Sequence, residues 1–333
     1  MPNPTVSIVL PFWNAGPTIA EAIDSIIDQT WCDWELILFD DGSADGSWAI
    51  AEAYARSDAR IRVIRSPHVG IVGALQRGCE AAVGEYIARM DADDIARPAR
   101  IEKQLALMTA QPDVALCGTQ VEMFGPNVGF GRRRYETWVN RLTDHDQMTR
   151  ELFVECPIPH PTFLIRRAAY TRVGGYLDNG WAEDYDLCFR LWAQGYRMAK
   201  ALGTLLRWRD TPGRLSMVDA RYAPYTFRAL KRHYLFRTYL NDRPVFHQWG
   251  AGEVGKQWLR EWTEPRPEAV VDINPRKIGR RIHGFQVISP EALPPPGQTL
   301  IVVAVGTPGA RDDIRGRLEP RGYRECRDYL FLA

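Results

Sequence analysis

At 333 residues and 37.9 kDa the chain exceeds one average core and suits two compact units. Apolar residues at 45% and charged residues at 25% are ordinary for a folded globular protein, which excludes a disordered or fibrous chain. With 42 basic against 41 acidic residues the net charge is +1, which excludes a strong global field that draws nucleic acid or a membrane and leaves only local basic patches.

Short β-branched runs alternate with amphipathic segments through the first 120 residues, the pattern of βα units on a parallel sheet. Val6–Leu10 reads as the first strand. Thr18–Gln29 reads as a helix whose apolar face is Ile19, Ala22, Ile23, Ile26 and Ile27. Strand Glu35–Phe39 runs into Asp40-Asp41-Gly42-Ser43. Helix Ser47–Ala55, strand Ile61–Ile64, helix Ile71–Ala82 and strand Tyr86–Met90 follow, the last meeting Asp91-Ala92-Asp93-Asp94. Both acidic clusters thus fall just past the carboxyl ends of strands, where open α/β sheets place ligands. Beyond Gly118 the pattern loosens, apart from an amphipathic helix near Asp184–Gln194.

Asp91, Asp93 and Asp94 suit a divalent cation that absorbs the charge of a diphosphate leaving group. A solvated acidic turn capping a helix that starts near Pro98 fits the same residues. The pair Glu183-Asp184 likewise reads as an N-cap pair for the helix that follows. Arg100 and Gln104, one turn apart, read as helix-surface residues rather than ligands, and Arg132-Arg133-Arg134 as a solvated charged loop or as a contact for an anionic acceptor or phosphates.

Four stretches, Val6–Asn14, Phe39–Ser43, Ala88–Asp94 and Ala182–Leu187, occur in an order and spacing that closely resembles the family-two glycosyltransferases of GT-A fold, over about residues 4–215. The resemblance implies a one-step inverting transfer from a nucleotide-diphosphate sugar, UDP-linked by default, to a hydroxyl of a glycan or lipid-linked acceptor in cell-surface polysaccharide synthesis. It implies that Asp41 receives the nucleotide base, with Pro11 and Trp13 in its pocket. It implies that Asp91 and Asp93 hold Mn2+ or Mg2+ at the ribose and diphosphate, with Arg89 among the donor contacts. Asp184, with Glu183 beside it, is then the general base. His160 resembles a histidine that precedes the acidic pair in related transferases and meets phosphate or acceptor, although an ordinary loop histidine fits too.

A basic, aromatic segment, Pro224–Leu240, suits either a helix at an anionic membrane surface or one packed within the protein. Strand Val245–Trp249 then leads into Gly250-Ala251-Gly252-Glu253-Val254-Gly255, and strand Ala269–Val271 ends at Asp272. This is the full dinucleotide fingerprint, with Gly250, Gly252 and Gly255 at a pyrophosphate and Asp272 at a ribose hydroxyl. The segment resembles Rossmann-like domains that precede sugar acyltransferases, so a nucleotide or dinucleotide ligand and an empty lobe are both open. About 90 residues leave no room for a dehydrogenase's second half, which disfavours a nucleotide-sugar oxidoreductase, and intact acidic residues disfavour a non-catalytic scaffold.

The expected organisation is a GT-A domain over 1–223, a helical linker over 224–243 and a small Rossmann-like α/β domain over 244–333. The six cysteines form no CxxC pair, so reduced, buried thiols are expected. No apolar run reaches the roughly 20 residues of a membrane helix and no basic n-region opens the chain, so a cytoplasmic protein is expected.

Overall fold

In a computed structural model, which describes residues 3–126, 128–241 and 245–333, the apolar runs of the N-terminal part become strands. β1 (Val6–Phe12) and β2 (Trp34–Asp40) are buried at all seven positions. Parallel strands covered on both faces require such continuous apolar runs. The predicted helix forms over Ile19–Ile27 and buries Ile19, Ala22, Ile23 and Ile26 against the sheet. Each of the three isoleucines contributes about 1.5–3 kcal/mol when fully buried.

The chain divides into two compact units, Met1–Met148 with Pro157–Tyr222, and Thr149–Cys156 with Ala223–Ala333. The boundary expected near Pro244, and the linker's end at Arg243, lie outside the described residues.

Among the described residues the first unit carries an eight-stranded sheet. It adds β3 (Ile61–Arg65), β4 (Tyr86–Arg89), β5 (Ile95–Ala96), β6 (Val114–Phe124), β7 (Leu164–Arg166) and β8 (Arg197–Arg209) in the order β3-β2-β1-β4-β7-β6-β8-β5. The first four neighbours run parallel, β7 is antiparallel to β4 and β6, and β8 is parallel to β6. The long pair β6 and β8 was not legible as strands. Its register shifts three times between Val114 and Val121, which breaks the alternation that marks a strand. Arg132, Arg133 and Arg134 lie on a helix, Phe130–Arg141, rather than in the expected loop.

The second unit carries β9 (Phe246–Trp249), β10 (Val270–Val271), β11 (Arg281–Ile282), β12 (Phe285–Ile288), β13 (Leu300–Val303) and β14 (Tyr329–Phe331). Its order, β11-β12-β10-β9-β13-β14, places five parallel strands in a Rossmann-like succession with β11 antiparallel at one edge. Helix Pro224–Thr238 belongs to this unit, where Leu230, Tyr234 and Leu235 are buried and Arg228 pairs with Glu261 at 2.6 Å. Arg228, Lys231 and Arg232 of its basic face are thus engaged within the unit, while Arg237 is exposed.

The excursion Thr149–Cys156 also belongs here. Lys231 Nζ donates to the Val154 and Leu332 carbonyls at 2.6 and 3.2 Å, and Arg311 pairs with Glu151. Cys32 is exposed, whereas Cys79, Cys117, Cys156 and Cys188 are buried as expected.

Burial pushes the Lys231 ammonium from 10.5 down to about 8. Between those values the unfolded chain keeps a proton that the folded chain has shed, so this group makes stability rise with pH across the window. Urea unfolding at pH 8 and pH 10 should show the wild type gaining about 2 kcal/mol more than Lys231→Met. Parallel pH dependences would disprove the buried ammonium.

Candidate active site

Three strand ends build one face of the site. β2 ends at Asp40, and Asp41, almost fully buried, accepts backbone N–H groups from Val69 at 2.7 Å and Gly70 at 3.0 Å, where helix Gly70–Glu80 starts. Its carboxylate also meets His68 Nδ1 at 2.9 Å. Gly42 is required here: its φ is +79°, and a Cβ would stand 2.9 Å from the His68 backbone nitrogen.

Trp13, 57% exposed, lies over the His68 ring at 4.9 Å between centroids, while Pro11 is buried within β1 opposite Phe39. The structure thus gathers Trp13, Asp41 and His68 into one aromatic and acidic wall. His68 was missed in the sequence. The signal was its position just past β3, the third parallel strand to end on this face.

β4 supplies the next group. Arg89 closes the strand almost fully buried, and its guanidinium pairs with Asp91 and donates to the Met90 carbonyl. Asp91, Asp93 and Asp94 then bring carboxylate oxygens within 4.8 Å of one another. None of the three caps a helix, since the following helix starts at Arg100 with Ala99 before it.

Burial and the Asp91 charge push Asp93 up to about 6, and burial with both neighbours pushes Asp94 well above the carboxylate range. Asp94 Oδ1 accepts the Arg209 N–H at 2.7 Å, but its buried Oδ2 has no hydrogen-bond donor among the described residues. Crowded carboxylates with an orphaned oxygen fit a cation, because a cation removes both the repulsion and the missing partner.

Arg100 and Gln104, expected on a helix surface, are fully buried. Arg100 donates to the Arg89 carbonyl at 2.7 Å, and Gln104 to the Cys117 and Thr162 carbonyls at 2.9 and 2.8 Å. They brace the end of β4 against β6 and the His160–Thr162 turn. Burial pushes Arg100 down to about 10.

The second acidic pair opens helix Glu183–Ala193, with Ala182 rather than either carboxylate at the cap position. The two side chains differ in their surroundings. Glu183 is 1% exposed, accepts the Tyr222 hydroxyl at 2.8 Å and stands 3.6 Å from His160 Nδ1; burial pushes its carboxyl up. Asp184 is only half-buried and accepts the Tyr185 N–H at 2.7 Å.

His160 faces inward, with Nε2 2.7 Å from the Tyr176 hydroxyl, and burial with the nearby Arg89 charge holds it well below its usual range. A neutral imidazole at that point links Tyr176 to Glu183. The buried Arg89 charge acts on Asp91, Tyr176 and Glu183 alike, so one guanidinium stands between the two acidic clusters. Tyr222 had no legible signal, being the last residue of a short turn, Ala220–Tyr222, in irregular sequence.

In the C-terminal unit Gly250 has φ +113°, and a Cβ there would meet the Ala304 carbonyl at 2.6 Å; at Gly255 it would meet the Gly250 carbonyl at 2.0 Å. At Gly252 the space is open. Asp272 accepts from Ala251 N–H at 3.1 Å, Lys277 Nζ at 2.9 Å and Asn274 N–H at 2.8 Å, so its carboxylate already closes the glycine loop.

Residues 7–174 match the family model Glycosyl transferase family 2. The uncharacterized glycosyltransferase EpsJ of Bacillus subtilis is 31% identical over 245 residues, 69% of this chain and 68% of that protein. The amylovoran biosynthesis glycosyltransferase AmsE of Erwinia amylovora is 29% identical over 206 residues, 61% and 75% of the two chains. The crystal structure of S. aureus TarS 1-349 in complex with UDP-GlcNAc aligns with a TM-score of 0.57 at 17% identity, covering 71% of this chain and 67% of that one, a likeness of fold. No helix among the described residues is long and apolar enough to cross a membrane. Strand-end acidic clusters, a parallel-rich sheet of GT-A type and the family match over half the chain lead to one conclusion: this protein belongs to glycosyl transferase family 2 and is a glycosyltransferase.

Proposed function

We propose that the protein moves a sugar from a nucleotide-diphosphate donor, UDP-linked by default, to an acceptor hydroxyl with inversion, in the synthesis of a cell-surface polysaccharide. The observation that carries this reading is the pairing of a crowded carboxylate triad with a second acidic pair in which one member is buried and the other open. AmsE, named for amylovoran biosynthesis, and TarS, solved with UDP-GlcNAc, support the class of product and donor.

Asp91 and Asp93, with Asp94 completing the set, would hold Mn2+ or Mg2+, which neutralises the diphosphate as it leaves. Arg89 fixes Asp91 in place. The wall of Trp13, Asp41 and His68, above Pro11, receives the nucleotide base: the indole stacks, and Asp41 holds the loop that carries His68.

Asp184, the open carboxylate, takes the proton of the acceptor hydroxyl as that oxygen attacks the anomeric carbon. Glu183 and Tyr222 position it by anchoring the first turn of its helix, and His160 backs Glu183 from the other side. The C-terminal unit stands outside this chemistry. Its Asp272 is committed to Ala251 and Lys277, and a nucleotide at Gly250, Gly252 and Gly255 would serve docking or sensing.

A hydrolysis and transfer panel of UDP-, GDP- and dTDP-sugars, run with Mn2+, with Mg2+ and with chelator, tests the donor and the cation together. Activity should vanish in chelator and in Asp93→Ala; full turnover without divalent ions would sink the metal assignment.

Asp184→Asn should lower kcat by about a hundredfold or more with donor affinity unchanged, since it removes a base and keeps the side-chain size. Tyr222→Phe should cost about tenfold in kcat by the same principle, with donor KM unmoved, because it acts through Glu183. Weakened donor binding at an unchanged kcat would make the acidic pair a donor contact instead.

Gly252→Val has room to fold, yet its side chain would fill the space a pyrophosphate needs. Transfer should persist in this variant. Its loss in a protein that melts normally would place the C-terminal unit within the catalytic apparatus.

A further inference from the structure

The turn Gly174-Gly175-Tyr176 places a phenol against the acidic pair. Both glycines take left-handed backbone, at φ +87° and +65°, and a Cβ on Gly175 would stand 2.8 Å from the Tyr170 phenol. The turn drives Tyr176 inward, where it is 5% exposed. Its backbone is held from two sides: the N–H donates to the Tyr170 hydroxyl at 3.1 Å, and the carbonyl accepts from Gln76 Nε2 at 2.8 Å. A phenol so held aims its hydroxyl at His160 Nε2, 2.7 Å away.

Two features give that contact a direction. Burial pushes the Tyr176 hydroxyl well above its usual range, so it keeps a proton to donate, and burial with the Arg89 charge keeps the imidazole neutral, with one nitrogen able to accept. The Arg89 cation also acts on Tyr176, which favours oxygen lone pairs toward the guanidinium and the O–H toward His160. Nε2 is then the acceptor, and the ring proton sits on Nδ1. Nδ1 faces the Glu183 carboxylate at 3.6 Å, longer than a hydrogen bond but close enough for the sign of the ring edge to matter. An N–H there supports an ionised Glu183, whereas a lone pair opposes it.

We infer that Tyr176 is a positioning residue: its hydroxyl fixes His160 as the Nδ1–H tautomer, and that tautomer keeps Glu183 in place and negative beside Asp184. This rests on the transferase reading above, with Asp184 as the base. Burial alone would drive Glu183 toward its protonated form, so an opposing N–H is needed. Glu183 also faces the Tyr222 hydroxyl at 2.8 Å and the charges of Arg89 and Arg221, with Asp184 next in the chain. The arginines present one sign only, whereas His160 can present either, and Tyr176 decides which. A negative Glu183 keeps the first helical turn tied to Tyr222 and adds its field where the acceptor proton arrives.

Nitrogen NMR of the full chain with labelled histidine reads the tautomer directly, and the spectrum of His160→Asn assigns the signal. The wild type should show a protonated Nδ1 and a bare Nε2 at His160, and Tyr176→Phe should lose that single form. No donor is involved, so a chain that turns over no sugar nucleotide counts against the transferase reading while the tautomer is still decided. In turnover, Tyr176→Phe should lower kcat about fivefold with donor KM unmoved, and the acid-side limb of kcat against pH should move up by about half a unit or more. His160→Asn keeps an N–H toward Glu183 that has no second tautomer, so adding Tyr176→Phe to it should change kcat less than about twofold.

Thermal melting checks each variant, and a Tyr176→Phe protein that melts early leaves the wild-type spectrum to decide. An Nε2–H tautomer at His160 in the wild type overturns the proposal. So does a Tyr176→Phe loss in kcat that is as large in the His160→Asn background, or that comes with an unmoved pH profile, since either marks Tyr176 as packing alone.

Discussion

A single buried cation sets the terms for the rest of the site. Arg89 ends β4 with almost no exposure, pairs with Asp91 and acts on Glu183, so that it balances part of a group of four acids gathered from two distant stretches. Uncompensated charge in a protein interior costs several kcal/mol per ion, and with Asp94 and Glu183 buried this group draws on the fixed positive charge beside it. The rest of the architecture keeps Arg89 where it is. Arg100 and Gln104 hold the strand end from one side, the Phe163 carbonyl accepts the Arg89 N–H at 2.8 Å, and the Met90 N–H is taken by Val9 of β1 at 3.1 Å.

This explains which parts of the fold were legible. β1, β2 and the helix Ile19–Ile27 declare themselves because burial on both faces, or on one helical stripe, leaves a continuous or periodic apolar record. The acidic clusters declare themselves because parallel strands all end on the same face, so a carboxylate after one strand lies near a carboxylate after the next. Asp41, Asp91 and Asp93 were visible for that reason. Arg100 and Gln104 were not, because a polar residue on a helix is read as exposed until the groups it satisfies are known, and those are carbonyls 11 to 58 residues away in sequence. β6 and β8 were hidden by bulges and by the buried Lys200, whose ammonium donates to the Val139 carbonyl. His68 and Tyr222 sit in turns whose sequence carries no periodicity.

The C-terminal unit shows how far a fingerprint reaches. The glycines at 250 and 255 are demanded by the path of the chain alone, since a Cβ at either would strike a carbonyl. Asp272, the acid expected at a ribose, closes the glycine loop here, with Lys277 across it. The pattern therefore reported a local backbone geometry faithfully, and ligand chemistry is a separate matter.

The eight residues Thr149–Cys156 give the protein a temporal constraint. They leave the ribosome long before Lys231 and Leu332, the residues that Val154 meets in the finished protein. At ordinary elongation rates of about 5–20 residues per second, the gap to Leu332 lasts on the order of ten seconds or more. During that interval the sheet of the first unit has most of its strands to pair, while this stretch, with Phe153 and Val154, has nothing to bury itself in. The gene thus fixes an order of assembly in which these eight residues wait for the second half of the chain before they can be buried.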